Sequence, residues 1–177
     1  MNAKDVTLVK KQAHALVTSA LEKEQTWPVY EEVDALVKIF KETNLQDVLT
    51  SDLIPKSEKI AYVRKLRQSE FHDLNQLMEV FISEDKLPLL LPVFEEVLLE
   101  ISQTTHVFNI ELTTAVPFSL EQKERLREFV EGRFAIQTRE IIETIDETLI
   151  AGFVVSVNNQ IIDTSIRHQL QELKNKL

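Results

Sequence analysis

The chain has 177 residues, no cysteine and a net charge of −9, with 20 basic residues against 29 acidic ones. Its apolar fraction of 44% is enough for a packed core, so we expect one or two small folded domains. The acidic balance repels a phosphate backbone and the basic clusters are interleaved with other residues, so nucleic acid is not an expected partner. The lack of cysteine excludes disulfides, thiolate metal ligands and cysteine nucleophiles.

Neither end of the chain nor its apolar runs predict a membrane segment. The longest apolar stretches, residues 87–94 and 149–157, are far shorter than the roughly 20 residues that a spanning helix needs. The N-terminal segment carries the acidic residue Asp5 and continues directly into an amphipathic pattern, which predicts neither a secretory signal nor a transit peptide. We therefore expect no segment of this sequence to cross a bilayer.

The first part of the chain, residues 1–105, has the three-and-four spacing of apolar residues that is typical of helices. Pro28 suits a first helical turn, Pro55 opens a segment, and Pro88 and Pro92 interrupt the pattern near the start of the last helix. Short connections separate the segments, which predicts an up-and-down bundle. The six predicted helices cover about residues 5–24, 28–44, 45–49, 55–66, 71–81 and 88–103.

The periodicity becomes alternating near Thr105, which is the predicted boundary of a second domain, residues 106–177. Residues 107–114 predict a strand, and Ser119 with Gln122 predicts a capping box for a helix that ends at or soon after Gly132. Alternating segments 137–146 and 148–158 meet at a polar turn, and residues 158–163 supply a short last strand. The expected fold class is α+β: a six-helix bundle, then a small α/β domain with a short mixed sheet and two helices.

One cluster invites a catalytic interpretation, because Asp163, Ser165 and His168 fall within six positions. Serine and histidine would share a face of the last helix, which we expect to begin at Asp163 or Thr164. An activated serine needs a strained turn and oxyanion donors, and no Gly-x-Ser-x-Gly motif is present. We therefore interpret Asp163 as a helix cap and keep a small hydrolase as an alternative.

The remaining residues favour architecture over chemistry. His14, His72 and His106 lie on separate elements without the spacing of metal ligands, so we expect them at the surface or at a boundary. Two glycines are too few for a phosphate loop, and no cofactor is expected. Gly152 lies in an apolar run that we predict to be a strand, where a missing side chain favours a bulge or the close approach of a covering helix.

A family resemblance rests on three stretches: "HALVTSALE", "FNIELTTAVPFSLEQKERL" and "IDETLIAGFVVSVNNQIIDTSIRHQLQEL". In this order they resemble the delta subunit of the F-type ATP synthase, whose mitochondrial relative is the oligomycin-sensitivity-conferring protein. The resemblance implies a non-catalytic stator subunit, peripheral on the cytoplasmic face of a bacterial membrane. Its bundle would bind the N-terminal segments of alpha subunits, and its second domain the peripheral-stalk b subunit. A bundle adaptor of another complex remains an alternative.

The resemblance also directs attention to the first and fifth helices, whose apolar stripes are wider than a small bundle core requires. We expect a partner helix to settle between them, with small residues of the first helix opposite large residues of the fifth. A charge at Ala13 or Val17 should then weaken binding while the bundle stays folded. The alternative is that all the residues concerned belong to the core. The predicted partner-binding residues are Val9, Ala13, Val17, Ala20, Leu74, Leu77 and Phe81.

Overall fold

The computed structural model describes residues 2–66, 68–149, 151–158 and 160–164. The chain divides into two compact units, residues 1–104 and 105–177, which we call the helical unit and the sheet unit. Each unit has its own cluster of buried apolar side chains.

The described part of the helical unit contains six α-helices, as the spacing of apolar residues predicted. Pro28 lies in the first turn of the second helix, and Pro88 lies in a 3₁₀ turn, Leu87–Leu89, that precedes the sixth. Observed and predicted bounds differ by a few residues. The helices are α1 (Ala3–Glu22), α2 (Thr26–Glu42), α3 (Leu45–Thr50), α4 (Lys56–Leu66), α5 (His72–Ser83) and α6 (Leu90–Thr105).

The helix α1 is stabilised by a cap at its N-terminus and by burial of its apolar face. Asn2 caps α1, because its side chain accepts a hydrogen bond from the Asp5 backbone N–H while Asp5 reaches back to the Asn2 N–H. The apolar stripe of α1 is buried against the rest of the bundle. In the same core, the rings of Phe40 and Phe94 meet edge to face at 5.8 Å between centroids. Burial of one stripe from each helix thus forms the core.

The sheet unit contains a four-stranded mixed sheet with the order β2-β1-β3-β4. β1 and β2 run parallel and are joined by α7, whereas β1–β3 and β3–β4 are antiparallel. The polar turn at Asp146 therefore does not close a hairpin, because β2 and β3 pair with opposite edges of β1. The elements are β1 (Val107–Thr114), α7 (Leu120–Phe134), β2 (Gln137–Ile145), β3 (Phe153–Val157) and β4 (Gln160–Asp163).

One face of the sheet packs on α7. Phe108, Ile110 and Leu112 alternate along β1 and are buried against Leu126 and Val130 of α7. This alternation is the strand pattern that the sequence predicted for residues 107–114.

The predicted capping box of α7 is confirmed. The Ser119 Oγ accepts from the Gln122 backbone N–H at 3.2 Å, and the Gln122 Oε1 accepts from the Ser119 backbone N–H at 2.8 Å. The helix continues through Gly132 to Phe134, and Ala135 follows it in the left-handed region with φ of 53°. The helix therefore ends soon after Gly132, as expected.

The structure corrects the interpretation of Gly152. This residue is exposed and precedes β3, which begins at Phe153, so it does not form a bulge inside the strand. Its φ of 89° is the physical reason for a glycine there, because side chains with a Cβ disfavour that backbone conformation. Asp163 is the last residue of β4, and the predicted last helix, with Ser165 and His168, lies outside the described residues.

Candidate functional site, a groove between α1 and α5

The seven predicted partner-binding residues lie on α1 and α5, and all belong to the core of the helical unit. None exposes more than 4% of its surface. Ala20 and Leu77 also line depressions at the surface. This burial agrees with the alternative that all seven are core residues, and direct docking of a partner on them stays a prediction. The exposed fractions are Val9 3%, Ala13 0%, Val17 1%, Ala20 3%, Leu74 0%, Leu77 4% and Phe81 0%.

A surface groove lies between α1 and α5, next to this core. Its central part is a cavity of about 240 Å³, which continues into a second one of about 380 Å³ near the end of α1. Both cavities share Leu16 and Asp73 as lining residues, so they form one concave surface, the α1–α5 groove. The central cavity is lined by Gln12, Ala15, Leu16, Ser19, Asp73, Gln76, Leu77 and Val80.

Where the two cavities meet, Asp73 of α5 joins the two helices. The Lys23 Nζ donates to Asp73 Oδ2 at 2.5 Å, and the Ser19 hydroxyl donates to the same oxygen at 2.6 Å. The Lys23 hydrogen bond, followed by that from Ser19, lowers the pKa of Asp73 from its ordinary value of 3.8. The carboxylate is thus held ionised beside the cavity.

Nearer the start of α1, outside the lining of the two cavities, Lys86, which follows α5, pairs with Asp5 in the first turn of α1. The Lys86 Nζ lies 2.9 Å from Asp5 Oδ1. The Lys86 hydrogen bond lowers the pKa of Asp5, and the same contact raises the pKa of Lys86. The two ion pairs show that α1 and α5 run antiparallel. Apart from Asp73, the side chains that line the central cavity between the pairs are uncharged.

The histidines do not form a chemical site in the part of the chain that the structure describes. His14 Nδ1 lies 2.5 Å from Glu100 Oε1 and links α1 to α6, while His72 lines the groove and His106 is exposed before β1. Within the described ranges, no group of three or more histidine, aspartate or glutamate side chains could hold a metal ion. The groove has an apolar floor, and its central lining has no charged side chain except Asp73, so it is suited to binding a chain segment rather than to catalysis.

Sequence reasoning missed the residues that form the groove surface. Gln12, Ala15 and Ser19 lie beside the buried stripe of α1, and Gln76 and half-buried Val80 lie beside that of α5. A sequence pattern that could have predicted these residues is a row of small or uncharged residues beside an apolar stripe, in a chain that is otherwise rich in charged residues. Only the pairing of α1 with α5 shows that the two strips face each other.

No helix among the described residues combines the length and apolar content needed to cross a bilayer. The model of the family described as ATP synthase delta (OSCP) subunit matches residues 8–177.

Relatives in sequence and structure point to the same family. The ATP synthase subunit delta of Streptococcus mutans serotype c is 41% identical over 177 residues, covering 100% of this chain and 99% of the relative. The Streptococcus equinus protein of the same name is 38% identical with the same coverage. A chain in the cryo-EM structure of the Toxoplasma gondii mitochondrial ATP synthase hexamer has the same fold, with a TM-score of 0.68 at 20% identity, covering 95% of this chain and 96% of that one. On these findings, the chain belongs to the family of ATP synthase delta (OSCP) subunits.

Proposed function

We propose that this chain is a non-catalytic stator subunit of an F-type ATP synthase and that its α1–α5 groove holds the N-terminal segment of an alpha subunit. Family membership supports the stator role. The observation that carries the docking site is the groove itself, a partly apolar furrow between two helices that two ion pairs join, with no charged residue in its central lining except Asp73. Grooves of this kind bind the apolar face of an amphipathic helix.

The length of the groove fits a short helix. On the α1 side the lining residues extend from Gln12 to Lys23, 11 positions apart in the sequence, or about 16 Å at 1.5 Å per residue. A partner helix of about three turns fits along this length. Its apolar side chains would cover Leu16, Leu77 and Val80, which line the floor and one wall of the groove.

The proposed role needs a second attachment. Torque from the central shaft acts on the catalytic head, which must be held still by the peripheral stalk if rotation is to drive synthesis. We assign the head contact to the helical unit and the contact with the peripheral-stalk b subunit to the sheet unit. The bacterial relatives support a position on the cytoplasmic face of the cell membrane, with attachment only through the complex. Loss of this join is expected to uncouple proton flow from ATP synthesis.

The docking site is tested by placing a bulky charge in the groove. Ala15 is exposed and Val80 is half-buried, so Ala15→Arg and Val80→Arg obstruct the groove from both helices. Each should weaken binding of a synthetic peptide, the first 20 or so residues of the alpha subunit of the same synthase, by at least roughly tenfold. Trp27 reports binding by fluorescence, since it lies between Gln25 and Val29, which line the groove.

Thr18→Arg is the matched control, because Thr18 is an exposed residue of α1 that does not line the groove. It should bind the peptide as the unmodified chain does. Helical content and melting temperature are measured for all variants. Unaltered peptide affinity in a folded Ala15→Arg variant would place the docking site elsewhere.

A further inference from the structure

We infer that Asp73 sets the register of the docked helix: its carboxylate accepts a hydrogen bond from an uncharged donor, a hydroxyl or amide side chain, on the apolar face of that helix. This inference rests on the proposed function, since it specifies the chemistry of the segment that the α1–α5 groove accepts. It adds a selectivity that apolar contacts alone do not provide.

The position of Asp73 in the groove is the first observation. Asp73 lines both cavities, and its side chain is 31% exposed. Apolar residues lie on either side of it, because Leu77 and Val80 line the central cavity and Phe71 lines the cavity near the end of α1. A helix that fills the groove therefore covers this carboxylate.

The second observation is the way in which the carboxylate is already bonded. The Lys23 Nζ and the Ser19 hydroxyl both donate to Asp73 Oδ2, at 2.5 and 2.6 Å. Within the described ranges, Asp73 Oδ1 receives no hydrogen bond. Each oxygen of an ionised carboxyl group has two lone pairs that accept hydrogen bonds. Oδ1 is thus available to a donor from outside the chain.

Docking changes the surroundings of this oxygen. In the unbound protein the side chain is partly exposed, so solvent hydrates it. A wholly apolar segment would displace that water and leave an ionised acceptor without a donor, which is more unfavourable than the loss of an ordinary hydrogen bond. A donor at the same point of the docked helix replaces the water. The groove therefore favours a segment with a donor on its apolar face.

The ion pair determines which class of donor fits. A lysine or arginine of the partner would bring a second cation close to the Lys23 ammonium, and like charges repel. Serine, threonine, asparagine and glutamine donate without adding charge. Residues three or four positions apart share a helix face, so the donor should have apolar neighbours one turn before and after it. A shift of the helix by one turn would separate the donor from Asp73.

The donor is located by a peptide scan on the unmodified chain. The probe is the synthetic alpha N-terminal peptide, in which each serine, threonine, asparagine and glutamine is replaced in turn by alanine. One replacement, at a position with apolar neighbours one turn away on both sides, should weaken binding about tenfold, and the others less than about twofold. A scan without such a position would overturn the inference.

A double-mutant cycle then assigns that donor to Asp73. In Asp73→Ala the same peptide replacement should change affinity by less than about twofold, because the acceptor is gone. Asp73→Asn keeps the side-chain shape for the bundle and should reduce the effect to about threefold. A tenfold effect that persists in both variants, or coupling of Asp73 only to a lysine or arginine of the peptide, would show that the inference is wrong.

Asp34→Ala is the matched control. The Asp34 side chain on α2 is 25% exposed, its Oδ2 lies 2.8 Å from Lys38 Nζ, and it lines neither cavity. The scan on this variant should reproduce that on the unmodified chain. If Ala15→Arg weakens peptide binding but no donor couples to Asp73, the docking site stands and the inference fails. If the unmodified chain does not bind the peptide, both fail together.

Discussion

The two glycines of the chain occupy opposite backbone environments. Gly132 lies inside α7, and a Cβ built there would have no neighbouring atom within 4 Å. Gly152 has a φ of 89°, which residues with a Cβ disfavour. The same substitution should therefore have opposite effects at the two positions.

We expect Gly132→Ala to stabilise the sheet unit by about 1 kcal/mol, because alanine has less backbone entropy to lose in a helix. Gly152→Ala should destabilise it by about 1 kcal/mol or more through backbone strain. Urea unfolding followed by circular dichroism measures both changes in the free energy of unfolding. Changes of the same sign in the free energy of unfolding of the two variants would contradict this expectation.

Glu143 of β2 holds the segment before α7 in place. Its Oε1 accepts from the Phe118 backbone N–H at 2.7 Å, and its Oε2 lies 2.8 Å from Lys123 Nζ. The Lys123 hydrogen bond, followed by that from Phe118, lowers the pKa of Glu143 from its ordinary value of 4.5. The ionised form of this carboxyl group thus stabilises the folded sheet unit more than the protonated form does.

This shift predicts a pH dependence. Since the folded pKa lies below the unfolded one, the stabilisation by Glu143 is fully present above pH 4.5 and is lost as pH falls through the folded pKa. The free energy of unfolding of the sheet unit should therefore fall as the pH drops below about 5, and less steeply in Glu143→Gln. Urea titrations at several pH values measure this slope. Equal slopes in the two proteins would mean that other carboxyl groups dominate acid unfolding.

At the scale of elements, α1 uses two adjacent faces for two purposes. Ala13 and Val17, with exposed fractions of 0% and 1%, point into the core, whereas Gln12, Ala15 and Ser19 line the groove. The sequence-based expectation that a charge at Ala13 or Val17 would leave the bundle folded does not fit this burial. Substitutions at the groove residues are therefore expected to change partner binding without unfolding the bundle.

We expect Val17→Asp to destabilise the helical unit by roughly 3–5 kcal/mol, because an unpaired charge enters the core. Thr18→Asp, on the exposed side of the same helix, should change stability by less than about 0.5 kcal/mol. Thermal melting followed by circular dichroism distinguishes the two. A Val17→Asp variant that melts like the unmodified chain but no longer binds the alpha peptide would place Val17 on the docking surface instead.

For the whole molecule, the decisive feature is that each unit has its own cluster of buried apolar residues among the residues that the structure describes. The larger one is built from the helices of residues 1–104, and the smaller one from the sheet and α7. A cluster that is complete within one unit does not require the other unit for burial of apolar surface. This organisation allows one subunit to offer two attachment surfaces.

The fragment of residues 1–104 should therefore be soluble, strongly helical and cooperative in thermal melting. Circular dichroism of this fragment, compared with the full chain, measures helical content and the melting transition. It should also bind the alpha peptide with the affinity of the full chain. A fragment that is unfolded until residues 105–177 are added would show that the two units do not fold independently.

The sequence by itself determined the elements of this protein and its family. The spacing of apolar residues predicted the six helices and β1 to within a few residues, and Ser119 with Gln122 predicted the start of α7. These patterns could be identified because they depend on interactions between residues that are close in the sequence. The strand order, the turn conformation of Gly152 and the groove surface were decided only by tertiary structure. Pairing of α1 with α5, some fifty residues apart in the sequence, determines which side of each apolar stripe is buried and which lines the groove. Such contacts depend on packing between distant segments, which local periodicity does not encode.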